Sequence, residues 1–146
     1  MADRLAFIRA LPRAVAADLG DQPAPHQLVM HSMVKLWFGN KDLHYECGVY
    51  ERRKVIELGL HFESDAITNL RLLGAFRARS KAIGRRLPTA RIEAWDKGWT
   101  RVWEPIELAP FEPKFSAQVA KRFARYVRVL EPILELELPA DVRWSR

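Results

Sequence analysis

LHYECGVYERRKVIELGLHFE, residues 43–63, decides how the chain folds. Leu43, Tyr45, Cys47 and Val49 alternate with His44, Glu46, Gly48 and Tyr50. Ile56, Leu58, Leu60 and Phe62 alternate in the same way with Glu57, Gly59, His61 and Glu63. A period of two is the mark of a strand with one buried face. The charged run from Glu51 to Lys54 suits a tight connection in water, so the segment reads as a hairpin. Pairing Val49 with Ile56 sets every apolar residue opposite another, whereas a slip of one residue turns them all to the wrong face. In this register Cys47 meets Leu58, Tyr45 meets Leu60, and His44 meets His61.

Downstream, Ser64 and Asp65 are N-cap candidates for a helix over 66–86. Ala66, Leu70, Leu73, Phe76 and Ile83 share one side of it, Arg71, Lys81, Arg85 and Arg86 point away, and Gly84 and Pro88 mark its end. The same grammar then returns. ARIEAWDKGWTRVWEPIEL, residues 90–108, reads as a second hairpin turning at Asp96, Lys97 and Gly98, with Gly98 suited to a positive φ. Pairing Trp95 with Trp99 sets Ala94 against Thr100, Glu93 against Arg101, Ile92 against Val102 and Arg91 against Trp103. After Pro113, Ser116 is the expected cap of a helix carrying Phe115, Val119, Phe123, Tyr126, Val127, Leu130 and Leu134 on one side and Lys121, Arg125 and Arg128 on the other. Pro132 is expected to bend or end it, because it removes the bond to the carbonyl of Arg128.

Upstream, Leu5, Ile8, Leu11, Val15 and Leu19 make a helical stripe that Pro12 is expected to kink or split. Residues 20–27 read as a linker, and the apolar stretch 28–38 as containing a strand from about Val34 to Phe38. The expected fold is α+β: a mainly antiparallel sheet of about five strands, two amphipathic helices on one face, a ββα unit occurring twice, and an N-terminal helical segment. We expect one domain over 1–146: N-terminal helix and linker to 27, strand, hairpin and helix over 28–88, hairpin and helix over 89–138, and a tail over 139–146.

Composition bounds the function. With 49% hydrophobic and 29% charged residues the chain is of globular type, and no apolar run approaches the roughly 18 residues of a membrane span. Arg4, Arg9 and Arg13 interrupt the first apolar residues, so no export signal is expected, and a soluble, cytoplasmic protein follows as the expectation. Cys47 is the only cysteine, which excludes an internal disulfide and every cysteine-based zinc set; facing the expected core, it reads as a small hydrophobe. The net charge of +6 is localised: residues 64–101 hold nine Lys or Arg against Asp65, Glu93 and Asp96. Arg77, Arg79, Lys81, Arg85 and Arg86 are therefore the residues that could meet a polyanion such as nucleic acid.

No serine lies in a GxSxG context, and neither a phosphate-binding loop nor a dinucleotide fingerprint is present, so the sequence leans away from an enzyme. Two constellations remain, both on the sheet face opposite Tyr45 and Leu58. Trp95, Trp99 and Trp103 with Arg91 and Arg101 would form an amphipathic surface, and the favoured reading is a non-catalytic binding or assembly domain meeting a protein partner, a second copy or a small ligand there, without a cofactor. His44, His61 and Glu46 are the alternative. Two imidazoles and a carboxylate are a familiar set for a divalent transition metal, and a metal-assisted hydrolase built on them would have Glu57 or Glu63 as base.

Overall fold

The computed structural model describes residues 3–138. The tail over 139–146 lies outside the described residues. The charged connection closes as one helical turn, Glu51–Arg53, followed by Lys54 in the left-handed region at φ 54°. It joins β3 (Leu43–Tyr50) to β4 (Val55–Phe62). Their antiparallel register pairs Val49 with Ile56, Cys47 with Leu58, Tyr45 with Leu60 and His44 with His61, as the apolar alternation requires. The second hairpin, β5 (Arg91–Ala94) and β6 (Thr100–Glu107), also keeps its expected pairs, turning through Lys97 and Gly98 at positive φ.

Two further strands, β1 (His26–Val29) and β2 (Met33–Trp37), complete an antiparallel sheet of six in the order β1-β2-β3-β4-β6-β5. β1 corrects the linker reading of 20–27, whose last two residues begin this strand. All four of its residues are exposed, so it carries no apolar alternation to announce it.

The helices are α1 (Arg4–Leu19), α2 (Ala66–Ala78), α3 (Ser80–Arg86) and α4 (Pro113–Glu137). Each contributes buried residues to one core, together with Tyr45, Cys47, Leu58, Leu60 and Val102 from the sheet. The N-terminal segment therefore belongs to the helix layer, where α1 packs along α4 and against β2. The face bearing His44 and His61 is the other one.

Four helical expectations are corrected. α1 runs unbroken through Pro12. Its buried Ile8, Leu11 and Val15 contribute about 1.5–3 kcal/mol each, which outweighs the roughly 3 kcal/mol cost of an interior proline. α4 passes Pro132 for the same reason, with Leu130 and Leu134 buried on either side. Its cap is Glu112 with Pro113 in the first turn, where the missing N–H costs nothing, rather than Ser116. The single helix over 66–86 is two, broken at Arg79, and the second continues past Gly84 to Arg86.

Asp65 does cap α2, accepting from the Thr68 N–H at 2.9 Å. Asn69, buried one turn later, donates to the Gly98 carbonyl at 3.1 Å, and the Thr100 hydroxyl donates to the Asn69 carbonyl at 2.9 Å. These bonds tie the second hairpin to α2 and set where Trp95 and Trp99 stand.

Candidate metal centre

Each strand of the first hairpin carries the same triplet: His44, Tyr45 and Glu46 on β3, and His61, Phe62 and Glu63 at the end of β4. The aromatic residue of each triplet points into the core, so the flanking His and Glu both project from the other face. Antiparallel pairing places the two histidines opposite each other, with rings 5.7 Å apart and 7° from parallel.

The hydrogen bonds orient both rings. Nδ1–H of His44 donates to the Lys41 carbonyl at 3.0 Å, which leaves Nε2 facing Glu46 Oε1 at 3.1 Å. Nδ1–H of His61 donates to Glu63 Oε2 at 3.1 Å, which turns its Nε2 toward Glu46 Oε2 at 3.8 Å. Glu63 Oε1 lies 3.8 Å from His44 Nε2. Both imidazoles thus spend Nδ1 on an outward acceptor and aim Nε2 at one carboxylate.

The cluster is nearly closed to water, with His44 and His61 each 3% exposed and Glu46 7%. Burial alone pushes the Glu46 carboxyl up. The His44 hydrogen bond and the charges of His61, His44 and Lys35 outweigh it, holding the group below its ordinary value as a carboxylate.

One ligand atom from each of His44, Glu46, His61 and Glu63 falls within 4.8 Å of all the others. Two ligands about 2.1 Å from one ion stand about 3.0 Å apart in octahedral and about 3.4 Å apart in tetrahedral geometry. The separations of 3.1 and 3.8 Å lie on either side of the tetrahedral value and above the octahedral one. His44, His61 and Glu46, singled out from the sequence, are therefore brought together. Glu63, read there only as a base, stands beside them as the acceptor that orients His61. The repeated His-x-Glu triplet is the signal that could have added it.

Neighbouring groups wall the cluster. Trp95 stands edge-on to His61 with centroids 5.5 Å apart. Arg101, paired with His61 across the strands, lies between Trp95 and Trp103 at 4.3 and 3.8 Å from their ring centres. Its Nη1 donates to Glu57 Oε1 at 3.3 Å, and Arg53 donates to Glu57 Oε2 at 2.9 Å, so Glu57 is committed to two guanidinium groups. Trp103 is buried, covered by Arg91 and bonded through Nε1 to Glu93 at 2.6 Å. Trp99 is half-buried, and Trp95, at 38%, is the exposed member of the three.

The basic candidates differ in what they engage. Arg77 donates to the Ile92 carbonyl at 3.4 Å and Arg79 pairs with Glu137. Lys81, Arg85 and Arg86 are exposed on α3. Cys47 is fully buried, as expected, and burial raises its thiol far above the ordinary range.

Comparison with protein-family models, with curated proteins and with solved structures finds no match. No helix among the described residues is long and apolar enough to cross a membrane.

Proposed function

We propose that this protein is a metal-binding domain that holds one divalent transition ion between His44 Nε2, His61 Nε2 and the Glu46 carboxylate. The observation that carries the reading is the shared orientation of the two imidazoles. A metal-ligating histidine characteristically donates its other N–H to a carbonyl or carboxylate, and Lys41 and Glu63 supply one of each. Nitrogen and oxygen donors without thiolate suit zinc, manganese, iron or cobalt. Two histidines and one carboxylate would leave positions for water on the ion, and the chemistry the ion would supply is a lowered pKa of that water, enough for a nucleophile near neutral pH. Glu63, whose Oε2 holds His61 while Oε1 faces the cluster, would be the base; Glu57 is held by Arg53 and Arg101.

The test is titration of chelator-treated protein with Zn²⁺, Mn²⁺ and Co²⁺, read by elemental analysis after gel filtration and by the visible spectrum of the cobalt form. One ion per chain is expected in the wild type, and none retained by the His44→Ala, His61→Ala double variant. Glu46→Gln keeps the shape of the side chain and is expected to weaken binding by about 10–100-fold if the carboxylate is a ligand. Equal metal retention in wild type and all variants would remove the proposal.

Association through the tryptophan face is the second reading, favoured by the exposure of Trp95 beside the cluster. A strict monomer in light scattering, with Trp95 fluorescence insensitive to an added aqueous quencher, excludes it.

A further inference from the structure

A separate site lies on the helix side of the molecule. On α4, Gln118, Lys121, Arg122 and Arg125 follow the spacing i, i+3, i+4, i+7, which sets them in one row along the helix. Between this row and the end of β6 is a cavity of about 360 Å³ whose apolar walls are Ile106, Phe115 and Val119. It adjoins a smaller one of about 110 Å³ bounded by Arg86, Thr89 and Glu104. Arg122 and Arg125 line both.

The charges around these cavities do not balance. Glu104, 2% exposed, is the one carboxylate on the walls among the described residues, and it already accepts from the Tyr126 hydroxyl at 2.8 Å and pairs with Arg122. That pairing fixes the Arg122 guanidinium at the junction of the two cavities. Arg86, Lys121 and Arg125 have no ion-pair partner among the described residues. Lys121 and Arg125 thus stand with the anchored Arg122 on the apolar-walled cavity, and Arg86 stands on the smaller one that Arg122 and Arg125 share with it.

We infer that this is a binding site for a small organic phosphate, its dianionic group held by Arg125, Lys121 and Arg86 and its apolar portion against Phe115, Ile106 and Val119. Three criteria select that class. Guanidinium forks match phosphate oxygens, and a dianion uses several cations where a single carboxylate does not. The larger cavity falls within the roughly 300–1,000 Å³ of small-molecule sites. A nucleic-acid backbone needs a continuous basic track, and on the neighbouring helices that track is broken by the engagement of Arg77 with a carbonyl and of Arg79 with Glu137. The site shares no residue with the His and Glu cluster, so it stands or falls independently of the metal.

The experiment is calorimetric titration of the full chain with phenyl phosphate, inorganic phosphate and benzyl alcohol. Saturable one-to-one binding of phenyl phosphate is expected, with weaker binding of inorganic phosphate and none of the alcohol. Lys121 and Arg125 are exposed and have no ion-pair partner among the described residues, so the Lys121→Ala, Arg125→Ala variant should fold normally by circular dichroism and lose about tenfold or more in affinity. Phe115→Ala should weaken phenyl phosphate and leave inorganic phosphate unchanged. Absence of saturation at millimolar phenyl phosphate, or equal affinity in the folded double variant, would overturn the proposal. So would a single-stranded oligonucleotide binding through the same residues where phenyl phosphate does not.

Discussion

Replacing Gly59 by alanine should separate two strands at the point where the candidate site is built. Gly59 stands in β4 opposite Trp103 of β6 and two residues before His61. A Cβ added there lies 2.5 Å from Trp103 Cβ and 2.7 Å from Trp103 Cα, and closer still to the Val102 carbonyl. Ordinary carbon contacts are about 3.5–4.0 Å, so the strands must part by on the order of 1 Å. Overpacking of a tight interior costs about 1–3 kcal/mol when side chains can turn aside. Here the blocking atoms are backbone and a Cβ, which cannot rotate away, so the upper end applies and about 3 kcal/mol is expected. For a chain of this length that corresponds to a fall in Tm of roughly 6–12 °C. Parting β4 from β6 also draws Arg101 and Trp103 away from His61, so metal retention should weaken even where the variant remains folded. Thermal and urea unfolding of Gly59→Ala measure the first effect, and the cobalt spectrum measures the second. A variant that melts at or above the wild-type temperature would refute the claim that close strand approach requires glycine here.

Gly74 is the matched opposite: it lies exposed within α2, where an added Cβ meets nothing within 4 Å. Gly74→Ala should raise stability by about 0.5–1 kcal/mol, measured as a higher urea midpoint. Asp65 should impart a pH dependence to stability. The Thr68 backbone N–H, then its hydroxyl, hold the Asp65 carboxyl below its ordinary value, so its contribution is complete above the unfolded-state value near about 3.9 and is lost as pH falls through the lower folded-state value. The gap in urea midpoint between wild type and Asp65→Ala should be constant from neutral pH down to mildly acidic pH and close below that. A gap that widens on acidification would contradict the capping assignment.

What could be read from the residues was whatever depended on neighbours in the chain or on a single strand pair. The register of β3 on β4 follows from the alternation of Tyr45, Cys47, Leu58 and Leu60, and with it the meeting of His44 and His61. The cap at Asp65 and the turn at Gly98 are equally local. β1 was hidden because an exposed edge strand has no buried face to impose a period of two. The passage of α1 through Pro12 and of α4 through Pro132 was hidden for the opposite reason: propensity forbids it locally, and burial against distant elements overrides the local cost. Glu104 is a third kind of case. It occupies a core-facing position of β6 between Val102 and Ile106, and only the arrival of Tyr126 and Arg122 from α4 gives it partners.

The two candidate sites divide along the same line. The candidate metal centre is made within one hairpin, since a His-x-Glu triplet on each of two paired strands needs only the register to bring four donors together. Chain connectivity alone supplies its geometry, and the sequence shows three of its four members. The cationic cavity needs α4, the end of β6 and the turn after α3 to converge, and its charge imbalance appears only once Glu104 is seen to be taken. Arg86 was legible as a basic residue, but its association with Lys121 and Arg125 depends on packing between elements far apart in the chain. A substitution that loosens the helix layer should therefore impair anion binding before metal binding, whereas Gly59→Ala, which loosens the sheet, should act in the reverse order.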